Sequence, residues 1–367
     1  DKVDPEALPA AKSWVYWATQ EFLQKNEHPQ VVLLGSSLMM NPTWLQEAAH
    51  LKADVDIVAN HRTTYLESVI KTYLPGFNAQ CYNFGLPGSM MSDDYMVVRA
   101  LMRGKNKPAI AVIGLGPRDL MDCRFNCAAS SKHFQYLERY SDTHDIINLT
   151  MPQFWQRINF VVKELDYFVG KKWNMQVAAG ETARQFFQPL ISAITRPGPL
   201  ELSNEANYRL EIAKGVWIAH PASASYFFLD NTAEWRRRHR KTNDTLFANQ
   251  TQFLELALQT CRKEGIEPLL VNMPILDASK NAMHPEIYPR HLALLKQMSD
   301  KYNCVLIDTN ERAKFVTEDF TDTCHMDDSG GKKLLDLIGQ AIGSHAQLSS
   351  SLNAPTTSKI AGRGKTM

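Results

Sequence analysis

Apolar positions along this chain fall into two rhythms. Five short runs are apolar almost without interruption: Gln30–Gly35 (QVVLLG), Cys81–Gly85 (CYNFG), Ala109–Gly116 (AIAVIGLG), Pro268–Pro274 (PLLVNMP) and Cys304–Thr309 (CVLIDT). Unbroken apolarity, instead of alternation, suits a strand covered on both faces, and each run stops at a Gly, Pro or Thr. Around them the period lengthens to that of a helix in Thr63–Leu74, Ser92–Gly104, Gln250–Gly265 and Tyr288–Asn303, and in Pro5–Asn26 ahead of the first strand. Strand and helix alternate, which predicts an α/β fold: a doubly wound, mostly parallel, five-stranded sheet. In such sheets ligands bind beyond the carboxyl ends of the strands.

The rhythm breaks between about residues 123 and 246. That stretch is aromatic-rich and reads as a helical insertion between the third and fourth strands, either a cap over the strand ends or additional core. Trp155, Phe160, Tyr167, Phe168 and Trp173 recur at near-helical spacing, which favours core over sugar stacking. The expected organisation is an N-terminal helix in 1–28, one domain over 29–345 and a disordered tail, poor in apolar residues, over 346–367. No internal repeat is visible.

Composition narrows the function more than it defines it. The 367 residues carry a net charge of +1, so no global field draws the chain to nucleic acid or to an acidic surface. No stretch approaches the roughly 18 consecutive apolar residues of a membrane span. The chain starts at Asp1 instead of Met, which fits a processed form that has lost a signal peptide or anchor. Six cysteines are too few for a disulfide scaffold at this length. Cys81 and Cys304 sit in strand runs as core thiols. Cys123 and Cys127 could pair, but no second pair of metal ligands stands at a matching spacing. Arg236, Arg237, Arg238, Arg240 and Lys241 cluster as a solvated helix face or a patch for an anionic polymer.

The chemistry gathers at the strand ends. Gly35-Ser36-Ser37 closes the first run, and by itself is a turn with a serine helix cap. A serine hydroxyl becomes a nucleophile only with a base in reach and a group orienting the base. Asp322 and His325 after the fifth run supply that pair: three residues apart in a loop, the carboxylate can fold onto Nδ1 and leave Nε2 facing outward. Gly88, after the second run, offers a backbone N–H for a developing oxyanion. Arg118 and Asp119 follow the third run. Gly114-Leu115-Gly116 begins like a dinucleotide fingerprint, but Pro117 follows and Asp119 replaces the third glycine, so that reading is rejected. Cys324 adjoins His325 and so points away from its outward nitrogen, which argues against a cysteine nucleophile.

This ordered set of strand-end residues resembles the SGNH/GDSL hydrolase superfamily. Gly35-Ser36-Ser37 matches its nucleophile turn with Ser36 in the usual aspartate place, Gly88 its oxyanion glycine, Gly116 to Asp119 its third block with Arg118 in the usual asparagine place, and Asp322-x-x-His325 its last. The resemblance implies a flavodoxin-like sheet, Ser37 as nucleophile, His325 as base, Asp322 as its orienting group, and the Ser37 and Gly88 N–H groups, with Arg118, at the oxyanion. Arg118 could equally pair with Asp119 or bind an anionic substrate group. No metal or cofactor is implied. The departures look like a bacterial subgroup similar to D-alanyl lipoteichoic acid transfer and alginate O-acetylation proteins. That likeness implies an extracytoplasmic, often membrane-anchored esterase or O-acyltransferase acting on an acylated carbohydrate or envelope polymer beside a membrane-bound O-acyltransferase. A catalytically silent module of the same shape is the alternative.

Overall fold

The computed structural model describes residues 14–25, 28–122, 127–153, 155, 157–158, 218–221, 228–312 and 315–353. The five apolar runs form one parallel sheet. Its strands are β1 (Val31–Gly35), β3 (Cys81–Asn83), β4 (Ile110–Leu115), β6 (Glu267–Asn272) and β7 (Val305–Asp308), in the spatial order β3-β1-β4-β6-β7. Every residue of β1, β3, β4 and β6 is buried, which is why those runs show no alternation. Two helical layers cover the sheet. One is built from Ser37–Leu51, Thr64–Tyr73 and Asp328–Ser344, the other from Met91–Leu101, Asp244–Glu264 and Ile287–Tyr302.

The topology sets where a ligand can sit. The chain leaves β1 toward β3 on one side, then returns to β4 on the other. Connections therefore diverge above β1 and β4, leaving a crevice at their carboxyl ends. Gly35 makes this crevice possible. Its φ is +143°, and a Cβ there would lie 2.6 Å from the Gly114 carbonyl oxygen, so only glycine lets the two strand ends come this close.

Beneath the crevice the core is continuous. Phe22 of the helix Trp14–Gln24 packs edge-to-face on Tyr82 and Phe84, with centroids 5.2 and 5.6 Å apart, and each such pair adds about 0.5–1.5 kcal/mol beyond area burial. This is how the amphipathic N-terminal segment is held to the sheet edge.

Three expectations change. The 123–246 segment is not purely helical: β5 (Ile218–Ala219) pairs antiparallel with β2 (Val55–Asp56). Two residues are too few for alternation to be read from sequence. The 346–367 tail is not disordered throughout, because Ala346–Asn353 is a helix whose Leu348 and Leu352 are buried. Two leucines four apart give a short helix enough apolar face to dock, even in a polar segment. Trp155 is not core, being 71% exposed; Phe160, Tyr167, Phe168 and Trp173, like Cys123, lie outside the described residues. No helix among the described residues is long and apolar enough to cross a membrane.

Candidate active site

The serine pair divides its labour. Ser36 has an extended backbone (φ −80°, ψ −164°), and its Oγ accepts a hydrogen bond from the Leu38 N–H at 3.4 Å, capping the helix Ser37–Leu51. That leaves Ser37, the first helical residue, free to face elsewhere. Its Oγ lies 2.8 Å from His325 Nε2, across 288 positions of sequence.

The His325 loop is shaped by Asp322. One carboxylate oxygen, Oδ1, accepts the backbone N–H groups of Cys324 (2.8 Å) and His325 (2.7 Å). This local turn leaves Oδ2 to meet His325 Nδ1 at 2.7 Å. An ionised carboxylate can only accept, so the proton belongs on Nδ1 and Nε2 is the acceptor toward Ser37. The Thr321 N–H donates to the His325 carbonyl at 2.8 Å and closes the loop at its base. A residue from the insertion braces it. Asn231 Oδ1 accepts from the Thr323 N–H at 3.3 Å and from the Thr323 hydroxyl, while the Leu229 N–H donates to the Thr321 carbonyl at 2.8 Å.

Electrostatics follow from half-burial. The His325 and Asp322 side chains are 26% and 15% exposed. Burial alone would lower the imidazole's affinity for its proton, but the Cys324 thiol and the Asp322 carboxylate beside it prevail and hold its pKa well above the ordinary value. Asp322 moves the other way: burial would raise it, yet His325 and the two backbone N–H groups keep its carboxyl below the usual range. Cys324 is buried, and its Sγ lies 3.4 Å from Nδ1, on the far side of the ring from Ser37. It is therefore out of place as a nucleophile, and burial pushes its thiol up.

Arg118 lies beside Gly88 but is heavily committed. Nη2 donates to the Gly88 carbonyl at 3.0 Å, and Nη1 donates to the Ser89 carbonyl at 3.1 Å and to Asp119 at 3.2 Å; Nε is 3.6 Å from Asp122. Of the roles open to it from sequence, the structural one accounts for these contacts: the guanidinium holds the Gly88 turn against the loop after β4. Gly88 itself has φ +79°, a conformation that suits glycine. Neither the Gly88 N–H nor the Ser37 N–H has a hydrogen-bond acceptor among the described residues.

Asp119 is buried and faces inward. Its Oδ2 accepts from the Gly116 N–H at 2.8 Å, and the Ser36 hydroxyl is also bonded to it. Burial raises its pKa, against the opposing pull of Arg118 and these donors. Asp119 thus links the Ser36 turn to the loop after β4. Arg236 and Arg237 lie exposed on the helix Thr232–His239, and Arg238 on the same helix pairs with Glu234 and with buried Asp122 at 3.1 Å. Sequence reasoning missed Asn231 and the tie between Ser36 and Asp119. An asparagine just ahead of a helix gives only a capping signal, and hydrogen bonds over 80 or more positions give none.

No protein-family profile matches this chain, and no curated protein matches it by sequence. Among solved structures it is similar to a Bacteroides fragilis protein assigned as a candidate acylhydrolase. The identity is 10% and the TM-score 0.39, over 93% of this chain and 99% of that one.

Proposed function

We propose that the protein is a serine-dependent acyl-ester enzyme, a hydrolase or O-acyltransferase, with Ser37 as nucleophile. The supporting observation is the unbroken chain Ser37 Oγ–His325 Nε2 (2.8 Å) and His325 Nδ1–Asp322 Oδ2 (2.7 Å) at the carboxyl ends of the sheet. His325 takes the Ser37 proton as Oγ attacks the ester carbonyl, and Asp322 fixes the ring and stabilises the imidazolium. The Ser37 and Gly88 N–H groups meet the oxyanion at the start of the helix Ser37–Leu51, where the dipole favours negative charge. His325 then returns the proton to the leaving alcohol. Water, or a sugar hydroxyl, releases the acyl group from Ser37 by the reverse sequence.

The substrate class in this reading is an acylated carbohydrate or envelope polymer, met outside the cytoplasm and beside a membrane O-acyltransferase; the sequence resemblance supports it. A catalytically silent, polymer-binding module is the second reading. The commitment of Arg118 to the Gly88 and Ser89 carbonyls favours that one, since it takes most of a charged donor away from the oxyanion. Hydrolysis of p-nitrophenyl acetate separates the two. The wild type should turn over and Ser37→Ala should fall by about 10⁴-fold or more. Equal rates for the two proteins would rule Ser37 out as nucleophile.

A further inference from the structure

We propose that the back of the Asp322–His325 pair is an inhibitory site for a thiophilic divalent cation such as Zn²⁺, with Cys324 as its third ligand. The inference is separate from the ester chemistry, although the inhibition it predicts rests on that reading. Asp322, Cys324 and His325 converge, with one ligand atom of each lying within 4.8 Å of the others. The Nδ1–Oδ2 distance is 2.7 Å and the Sγ–Nδ1 distance 3.4 Å. Ligands on one face of a tetrahedral zinc centre stand about 3.4–3.6 Å apart, given the usual bond lengths. The Sγ–Nδ1 edge already fits, and the Nδ1–Oδ2 edge must open by under about 1 Å. Carboxylate, thiolate and imidazole together form a donor set that zinc favours over magnesium or calcium.

The surroundings suit a metal-bound sulfur. Asn231 Nδ2 donates toward Sγ at 3.9 Å, and the Trp235 indole also hydrogen-bonds it. Both donors stabilise negative charge on sulfur. The second carboxylate oxygen, Oδ1, stays with the Cys324 and His325 N–H groups, so the loop keeps its shape while Oδ2 turns to the metal. Water completes the fourth position.

The chemical consequence lies on the other side of the ring. In the neutral, catalytically ready ring the single imidazole proton is on Nδ1 and Nε2 accepts from Ser37. A cation on Nδ1 replaces that proton, which moves to Nε2, and the Cys324 thiol proton leaves to solvent. Nε2 then carries a hydrogen and cannot take one from Ser37. Binding is thus predicted to inhibit without blocking the crevice itself.

The test uses the full chain. Zn²⁺ is titrated against p-nitrophenyl acetate turnover, with each protein scaled to its own rate in EDTA. Wild type should be inhibited, reversibly by EDTA, and Mg²⁺ should not substitute. Cys324→Ser should raise the half-inhibiting Zn²⁺ concentration at least about tenfold, the scale on which even outer-shell partners act. In parallel, Co²⁺ added to wild type and to Ser37→Ala should give a thiolate-to-cobalt charge-transfer band that Cys324→Ser lacks. This optical readout needs no turnover, so a failure of the catalytic reading leaves it intact. Equal Zn²⁺ sensitivity in Cys324→Ser, or the absence of a thiolate band in wild type, would overturn the site.

Discussion

The two ends of the sheet are made by the same strands and solve opposite problems. At the amino ends the groups are ordinary. Gln347 of the terminal helix donates to Glu267 at 2.6 Å, Arg262 pairs with the other Glu267 oxygen, and Gln30 accepts from the Gln80 N–H at 2.6 Å. Buried leucines beside them do the holding. At the carboxyl ends, Asp93, Asp94, Asp119 and Asp122 are all 1% exposed or less. Burial raises Asp94 well above the usual carboxylate range, and its neighbours Asp119 and Asp93 raise it further. A fold of marginal stability retains such a cluster at a cost. The difference shows that the carboxyl end is built for orientation and the amino end for cohesion.

Four substitutions sharpen that contrast. The largest effect is Ser37→Ala, with loss of turnover and little loss of stability. Asp322→Asn comes next, lowering kcat by about 10⁴-fold by spoiling the tautomer. It also shifts the pH profile. Because His325 is raised well above its ordinary value in the wild type, turnover should climb with pH only as the ring loses its proton, above about 6.5. Removing the carboxylate charge moves that limb to lower pH. A limb that stays put in the variant would exclude Asp322 as the charge controlling His325.

Arg118→Leu breaks the contrast from the stability side. It strips the cation from buried Asp119 and leaves buried Asp122 with Arg238 alone, and should cost about 3–5 kcal/mol in urea unfolding. Turnover should fall as well, since the Gly88 turn loses its tie. Leu348→Ala probes the other end. Leu348 is fully buried on the terminal helix, so stability should drop by about 2 kcal/mol with kcat unchanged. A change in kcat there would mean that the two ends are coupled.

The Ser37 turn shows how far the chain can be read alone. From VVLLGSS the strand, its end and the cap were legible, because each is a local matter of burial and backbone N–H satisfaction. The choice between the serines came from the family resemblance and not from local chemistry, as Ser36 and Ser37 are chemically the same. The structure separates them by one step of helix geometry: the extended residue caps and the next faces His325. Asp322 and His325 were legible as a pair because their hydrogen bonds span three residues. Arg118 was visible as a departure from a pattern, but its partners, the Gly88 and Ser89 carbonyls, come from a loop some 30 positions away. The helix Ser37–Leu51 itself gave a weak signal, since it contains Pro42 and is buried over most of its surface.

The sequence by itself determined the parallel sheet, its covering helices and the strand ends that carry chemistry. These follow from runs of apolar residues a few positions long, and such runs fold the same way wherever their partners lie. Tertiary structure alone decided that Ser37 meets His325, that Asn231 from the insertion braces the base loop, that Asp119 ties Ser36 to the β4 loop, and that Cys324 backs the imidazole. Those are contacts between elements distant in sequence, fixed by strand order and by the close approach at Gly35, and no local pattern encodes a distance between two loops.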